Sequence, residues 1–160
     1  MGSENGKRQR VLDVNTLAIF LVKNHPGNEY IYPLVEEGLR GAYIPLIMDI
    51  LPIRAYWIMT RRWQCPENES VEAVKHFVET YERVRYPSLQ RRTIIQSFKL
   101  AEELRHDVFD CVYLALALQE SAEAVVTTDT DFEGLCNRVG LEYINPVPAE
   151  TLGRFKDQNR

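Results

Sequence analysis

The segment AVVTTD, Ala124 to Asp129, constrains the fold more than any other. It runs apolar and β-branched up to Thr127, the composition of a strand covered on both faces. Such a strand needs a layer of helices on each side, in a chain where strands and helices alternate. The rest of the sequence supplies that alternation. RVLDV (10–14) predicts a first short strand, and TLAIFLVKN (16–24) a buried helix that ends before the breaker His25-Pro26-Gly27. A second helix follows, with Asn28 as cap, Pro33 in its first turn or marking a later start, and Gly41 at its end. AYIPLIM (42–48) predicts the second strand, and a helix with Pro52 in its first turn runs on to about Trp63.

Val71, Val74, Phe77, Val78 and Tyr81 fall at helical spacing and predict a helix over 70–84, with Ser70 as cap. RYPSL is a turn or short strand, and another helix covers about 90–104. Asp107 opens an alanine-rich helix that reaches about Glu120. After AVVTTD, FEGLCNRVG predicts a short helix ending at Gly140, and LEYINP a last strand. The whole predicts a three-layer α/β/α domain over 10–148, with a central, mostly parallel sheet of four or five strands. Residues 1–9 and 149–160 are expected to be tails, the first of them disordered.

Size and composition suit this plan. A chain of 160 residues with 45% hydrophobic and 26% charged residues is ordinary for one globular domain. A net charge of -4 argues against coating nucleic acid by bulk charge, yet a local basic patch beside a carboxylate cluster remains compatible with it. Cys65, Cys111 and Cys136 form no CxxC pair and no disulfide framework, which points to a reducing, cytoplasmic setting. No stretch has the length and apolarity of a membrane span.

The acids carry the chemistry. Ligands of an open parallel sheet bind at the carboxyl ends of its strands. Asp13 lies at that end of the first strand, and Asp129 and Asp131 at that end of the strand in AVVTTD. Asp49 follows the second strand, and Asp110 lies one turn into the alanine-rich helix. Each aspartate has an ordinary role available: Asp107 and Asp131 can cap helices. An acid within the apolar stretches VLDV or VFDCVYL is harder to place without a use, because burying it is costly. Hard oxygen donors with no His or Cys among them select Mg²⁺ or Mn²⁺.

In chain order, VLDVNTL, DVFDCVYLALAL and VVTTDTDF resemble the motifs of PIN-domain proteins, the fold of many VapC-type toxin ribonucleases. The resemblance spans about 11–146. It implies metal ligation by Asp13, Asp110 and Asp129, with Asp131 as an additional acid. It also implies a hydroxyl beside the last acid, from Thr128 or Thr127, and a polar residue, Asn15, near the first. The family's usual Glu on the helix after the second strand is replaced here by the shorter Asp49. A Mg²⁺- or Mn²⁺-dependent endoribonuclease is thereby implied, with RNA as substrate, an antitoxin as possible partner and a homodimer as assembly. Arg54 and Arg61, seven residues apart on one helix, can hold RNA phosphates. The alternative is a non-catalytic PIN-like module that binds RNA or protein. A phosphatase-type hydrolase finds no support, because VLDVNTL lacks a second acid two residues after Asp13.

Overall fold

The computed structural model describes residues 8–155. Four short strands form one wholly parallel sheet: β1 Gln9–Leu12, β2 Ile44–Leu46, β3 Ala124–Val126 and β4 Glu142–Ile144. Their order is β2-β1-β3-β4, with Val11 opposite Val125 and Leu12 opposite Val126. The helices are α1 Val14–Leu21, α2 Asn28–Leu39, α3 Leu51–Trp57 and α4 Glu67–Thr80. They continue with α5 Arg91–Leu104, α6 Val108–Gln119, α7 Phe132–Val139 and α8 Ala149–Gly153.

Successive strand residues face opposite sides of a sheet, and that period sorts the core into two halves. Leu12, Ile47 and Val126 pack with Leu17, Ile31 and Ile58 in one cluster. Their neighbours Val11, Leu46 and Val125 pack with Leu114, Leu135 and Cys136 in the other. The helices thus cover both faces, as the doubly apolar strand β3 requires. RYPSL contributes a parallel bridge, Arg85 to Leu46, at the outer edge of β2.

Several helix ends differ from expectation. Gly27, not Asn28, occupies the cap position of α2. The Asn28 amide instead donates to the carbonyls of Ile19 (2.9 Å) and Phe20 (3.2 Å), which end α1. The Ile19 carbonyl also takes the Val22 N–H at 3.3 Å, so the side chain of Asn28 helps to close one helix while its backbone opens the next. Pro33 lies inside α2. It is exposed, so the carbonyl four residues before it can be hydrated. Ser70 is buried inside α4, which begins earlier at Glu67 with Glu67 and Glu69 in its first turn, where the helix dipole favours acids.

Of the expected N-terminal tail, residues 1–7 lie outside the described residues, while Gln9 already belongs to β1 and its amide donates to the Glu120 carbonyl at 2.8 Å. The expected C-terminal tail opens with α8, whose Thr151 is buried; residues 156–160 lie outside the described residues. Cys65, Cys111 and Cys136 are all free thiols, the last two buried. Among the described residues no helix is long and apolar enough to cross a membrane.

The breaker at 25–27 is more than a turn. His25 is buried between the rings of Trp63 and Phe155, and its Nδ1 accepts the Gly27 N–H at 3.0 Å. Only a neutral imidazole has an accepting nitrogen. Burial accordingly lowers the His25 pKa from 6.5 to about 4. The folded state therefore takes up the proton less readily than the unfolded chain. Stability is full above pH 6.5 and declines as pH falls through that value toward 4. Urea midpoints measured across this range should fall for the wild type and change less for His25→Gln. Parallel curves for the two proteins would refute this.

Candidate functional site: an acidic pocket at the strand ends

The site is built where β1 and β3 end side by side. β1 leaves the sheet at Leu12, and Asp13 follows it, its N–H still bonded to the Val126 carbonyl at 3.2 Å. Asp13 is also the cap of α1, Oδ1 accepting the Thr16 N–H at 2.8 Å. Its Oδ2 accepts the Thr127 hydroxyl at 2.6 Å. The same hydroxyl oxygen accepts the Asp129 N–H at 3.0 Å, and Asp129 Oδ1 accepts the Asp131 N–H at 3.0 Å. One chain of hydrogen bonds thus runs from the start of α1 to the start of α7.

Helix α6 brings the third acid. Asp107 caps it through the Phe109 N–H at 2.7 Å and so fixes its first turn, where Asp110 lies. Asp110 Oδ2 is 2.8 Å from His106 Nε2. Tyr113, three residues on and so on the same face, accepts the Val14 N–H at its phenol oxygen, 3.3 Å away.

These groups line one pocket of about 590 Å³, shared by Asp13, Asn15, Arg54, Asp110, Tyr113 and Asp129. Burial raises the Asp13 carboxyl above its usual range; the bonds from Thr127 and Thr16 oppose this, and the Asp129 charge adds to it. Burial likewise raises Asp110, the His106 bond opposes it, and Asp129 again adds. The Tyr113 phenol is raised by burial and then by the Asp13 charge. The pocket therefore concentrates negative charge that its own donors offset only in part.

That donor chemistry, carboxylates and no thiol, fits a hard divalent cation. Each acid is nevertheless engaged by a donor of the chain, and among the described residues no three His, Cys, Asp or Glu side chains are grouped closely enough to hold a metal ion as they stand. His106 on Asp110 is the donor that a cation would have to displace or work beside.

The remaining expected residues lie outside this lining. Asp49 is exposed in the turn before α3, where its Oδ2 accepts the Ser88 hydroxyl at 2.7 Å. Asp131 is exposed at the cap position of α7, but its side chain makes no capping bond. Thr128 lines a separate crevice with Asn15 and Trp63, so the hydroxyl that reaches Asp13 is that of Thr127. The strand path continues through the Thr127 N–H to the Ile144 carbonyl, and consecutive extended residues point opposite ways. Arg54 lines the pocket, whereas Arg61 does not. A π-helical turn, Ile58–Arg62, follows α3 and adds a residue to the repeat. Arg62 therefore joins Arg54 on the Trp57 ring, at 5.5 and 4.8 Å from its centroid. Tyr113 and His106 join the acids without being singled out by residue type, and the only sequence signal for them is their spacing, three after and four before Asp110.

The PIN-domain family model matches residues 10–137. Among solved structures, the fold is similar to the VapC20 toxin of Mycobacterium tuberculosis, a sarcin-ricin loop cleaving toxin. The TM-score is 0.62 at 15% identity, covering 78% of this chain and 93% of that one. It is also similar to VapBC2 of Rickettsia felis, solved bound to a DNA fragment from their promoter. There the TM-score is 0.64 at 16% identity, covering 86% and 98% of the two chains. At these identities the likeness is one of fold. No curated protein matches the sequence.

The raised Asp13 carboxyl has a consequence for stability. Its folded pKa lies above the usual 3.8, so the folded state holds the proton more tightly than the unfolded chain. Stability is lost as pH rises from about 4 toward and through the raised value. Asp13→Asn removes this charge and keeps an acceptor for the Thr16 N–H. It should raise neutral-pH stability, by roughly 0.5–2 kcal/mol if the gain is that of an ordinary single stabilising substitution. The gain should shrink in denaturant titrations carried below pH 4. A variant less stable than wild type at neutral pH would sink this account.

Proposed function

The chain belongs to the PIN-domain family, and on that basis we propose that it is an endoribonuclease that hydrolyses RNA phosphodiester bonds with the help of Mg²⁺ or Mn²⁺. One observation supports the proposal: Asp13, Asp110 and Asp129 line one pocket together with Arg54 and Tyr113.

On this reading Asp13, Asp110 and Asp129 would hold the cation. When bound, it supplies positive charge to the scissile phosphate and acidifies water at neutral pH. The chain supplies the positioning. The Thr127 hydroxyl fixes the Asp13 carboxylate, and the backbone N–H of Thr16 fixes its other oxygen. Tyr113 lines the pocket with Asp13 and Asp110, its phenol oxygen taking the Val14 N–H. Arg54 binds a phosphate flanking the scissile bond, and Arg62, which shares the Trp57 ring with it, extends that contact along the surface, with Arg61 exposed beside it. Asn15 and Thr128 touch the sugar-phosphate backbone from the neighbouring crevice. Asp131 and Asp49 order water at the rim rather than the centre.

The likeness to a toxin and to the VapBC2 complex supports a place in a toxin–antitoxin pair. The chain would then work in the cytoplasm as a homodimer with an antitoxin as partner. One observation favours the alternative, a non-catalytic RNA- or protein-binding module. Asp49 is tied to Ser88 at the surface, outside the pocket lining.

Purified protein with labelled structured RNAs and Mn²⁺ separates the two. Cleavage should appear with Mn²⁺ and stop with a chelator. Asp13→Asn and Asp129→Asn should lower the rate by about 100-fold or more, the scale of removing one group that acts at the transition state. Mn²⁺ at 100 times its dissociation constant should also stabilise the wild type by about 2.7 kcal/mol, and Asp13→Asn much less. No cleavage across varied RNAs, with no thermal shift by Mn²⁺, would favour the binding module.

A further inference from the structure

Acids and an arginine account for part of the pocket wall only. The rest is apolar, with Ile50, Leu89, Phe109, Val112 and Phe132 among the lining residues. Neither a hydrated divalent cation nor a phosphate has a use for such a wall, whereas a nucleobase does. One member of the wall stands apart. Phe109 is 77% exposed, whereas Phe132 of the same wall is buried. An aromatic ring so little covered contributes little to packing, and as a residue that both lines the acidic pocket and faces solvent it stands at the pocket's mouth.

Its backbone is not loose. The Phe109 N–H is held by the Asp107 carboxylate at 2.7 Å, in the capped first turn of α6. The backbone that carries the ring therefore belongs to the same capped turn as Asp110, so the ring moves only about its own side-chain bonds. Arg54 of α3 lines the same pocket and offers a charge for phosphate. An apolar aromatic surface, a carboxylate cluster and a guanidinium around one cavity match the three parts of a nucleotide flanking a scissile bond. Unpaired bases are read by stacking on exposed aromatics, while bases paired in an A-form duplex offer no free face.

We infer that Phe109 is a stacking platform that selects RNA with an unpaired base beside the scissile phosphate. This rests on the nuclease proposal for the same pocket, and it makes Phe109 a specificity-determining residue, separate from the groups that hold the cation.

The test is equilibrium binding, by fluorescence anisotropy in Ca²⁺, of a short labelled single-stranded RNA to wild type, Phe109→Ala and Phe109→Trp. The same strand with abasic residues and a blunt RNA duplex serve as comparisons, and cleavage in Mn²⁺ is followed in parallel. Phe109→Ala should bind the base-bearing strand about 5–150-fold more weakly, the loss equivalent to one stacked base. Phe109→Trp should recover it. All three proteins should bind the abasic strand equally and unfold at the same urea midpoint. Equal binding of the base-bearing strand by wild type and Phe109→Ala overturns the platform, as does an equal loss on the abasic strand or no single-strand binding by wild type. If wild type still cleaves RNA in those cases, the nuclease proposal stands without the platform. Phe109-dependent binding with no cleavage sustains the platform and overturns the nuclease.

Discussion

A buried carboxylate at the joint between β1 and α1 is the constraint on which the rest of the site depends. Asp13 is only 4% exposed, and a buried charge is tolerated only where it is hydrogen-bonded. Its two bonds come from different parts of the chain. One is local, the Thr16 N–H at the start of α1, and would form in any helix capped this way. The other comes from Thr127, 114 residues away, and exists only because β3 pairs beside β1 in the observed register. The sheet order thus does two things at once. It satisfies a carboxylate that would otherwise oppose folding, and it brings Asp129 close enough to keep that carboxylate under electrostatic pressure.

The fold was legible because its signals were patterns rather than single residues. The doubly apolar strand β3 demanded helices on both faces, and the two-residue period of β1, β2 and β3 feeds two clusters as that demand implies. Single-residue inferences fared less evenly. Asp107 caps α6 and Gly140 ends α7 in a left-handed conformation, as their residue types favour. Asn28 and Ser70 are good cap residues too, yet tertiary context put them to other uses. The Asn28 amide found carbonyls of the preceding helix, and Ser70 became an interior residue once Glu67 and Glu69 offered an earlier start.

The candidate site was legible to the same extent. Asp13, Asp110 and Asp129 surround one pocket because each occupies a position that the fold class places at the strand ends. Thr127 and Thr128 are indistinguishable in type, and only the phase of the chain leaving β3 decides between them. Arg61 failed to follow Arg54 for a comparable reason. A seven-residue spacing keeps two side chains on one face only while the helix stays α, and the π-helical turn adds a residue that hands the position to Arg62. Nothing in the composition of IMTRR announces that turn. Asp49 stands where the chain enters α3, and Ser88 holds it at the surface.

Helix α6 shows how fold and chemistry share one set of residues. Its first turn carries the cap Asp107, the exposed ring of Phe109 and the acid Asp110 in four consecutive positions, and Tyr113 repeats the inward face one turn later. Beyond them Leu114, Ala115, Leu116 and Ala117 are all buried, and the small alanines let the helix lie close to the sheet. The buried half fixes where the helix sits, and the cap fixes how it begins. The polar first turn is therefore free to serve the pocket without holding the fold together. Asp13 has no such freedom, since the same carboxylate ends a strand, caps a helix and lines the pocket. A change at Phe109 or Asp110 should accordingly act on chemistry, whereas a change at Asp13 acts on chemistry and stability together.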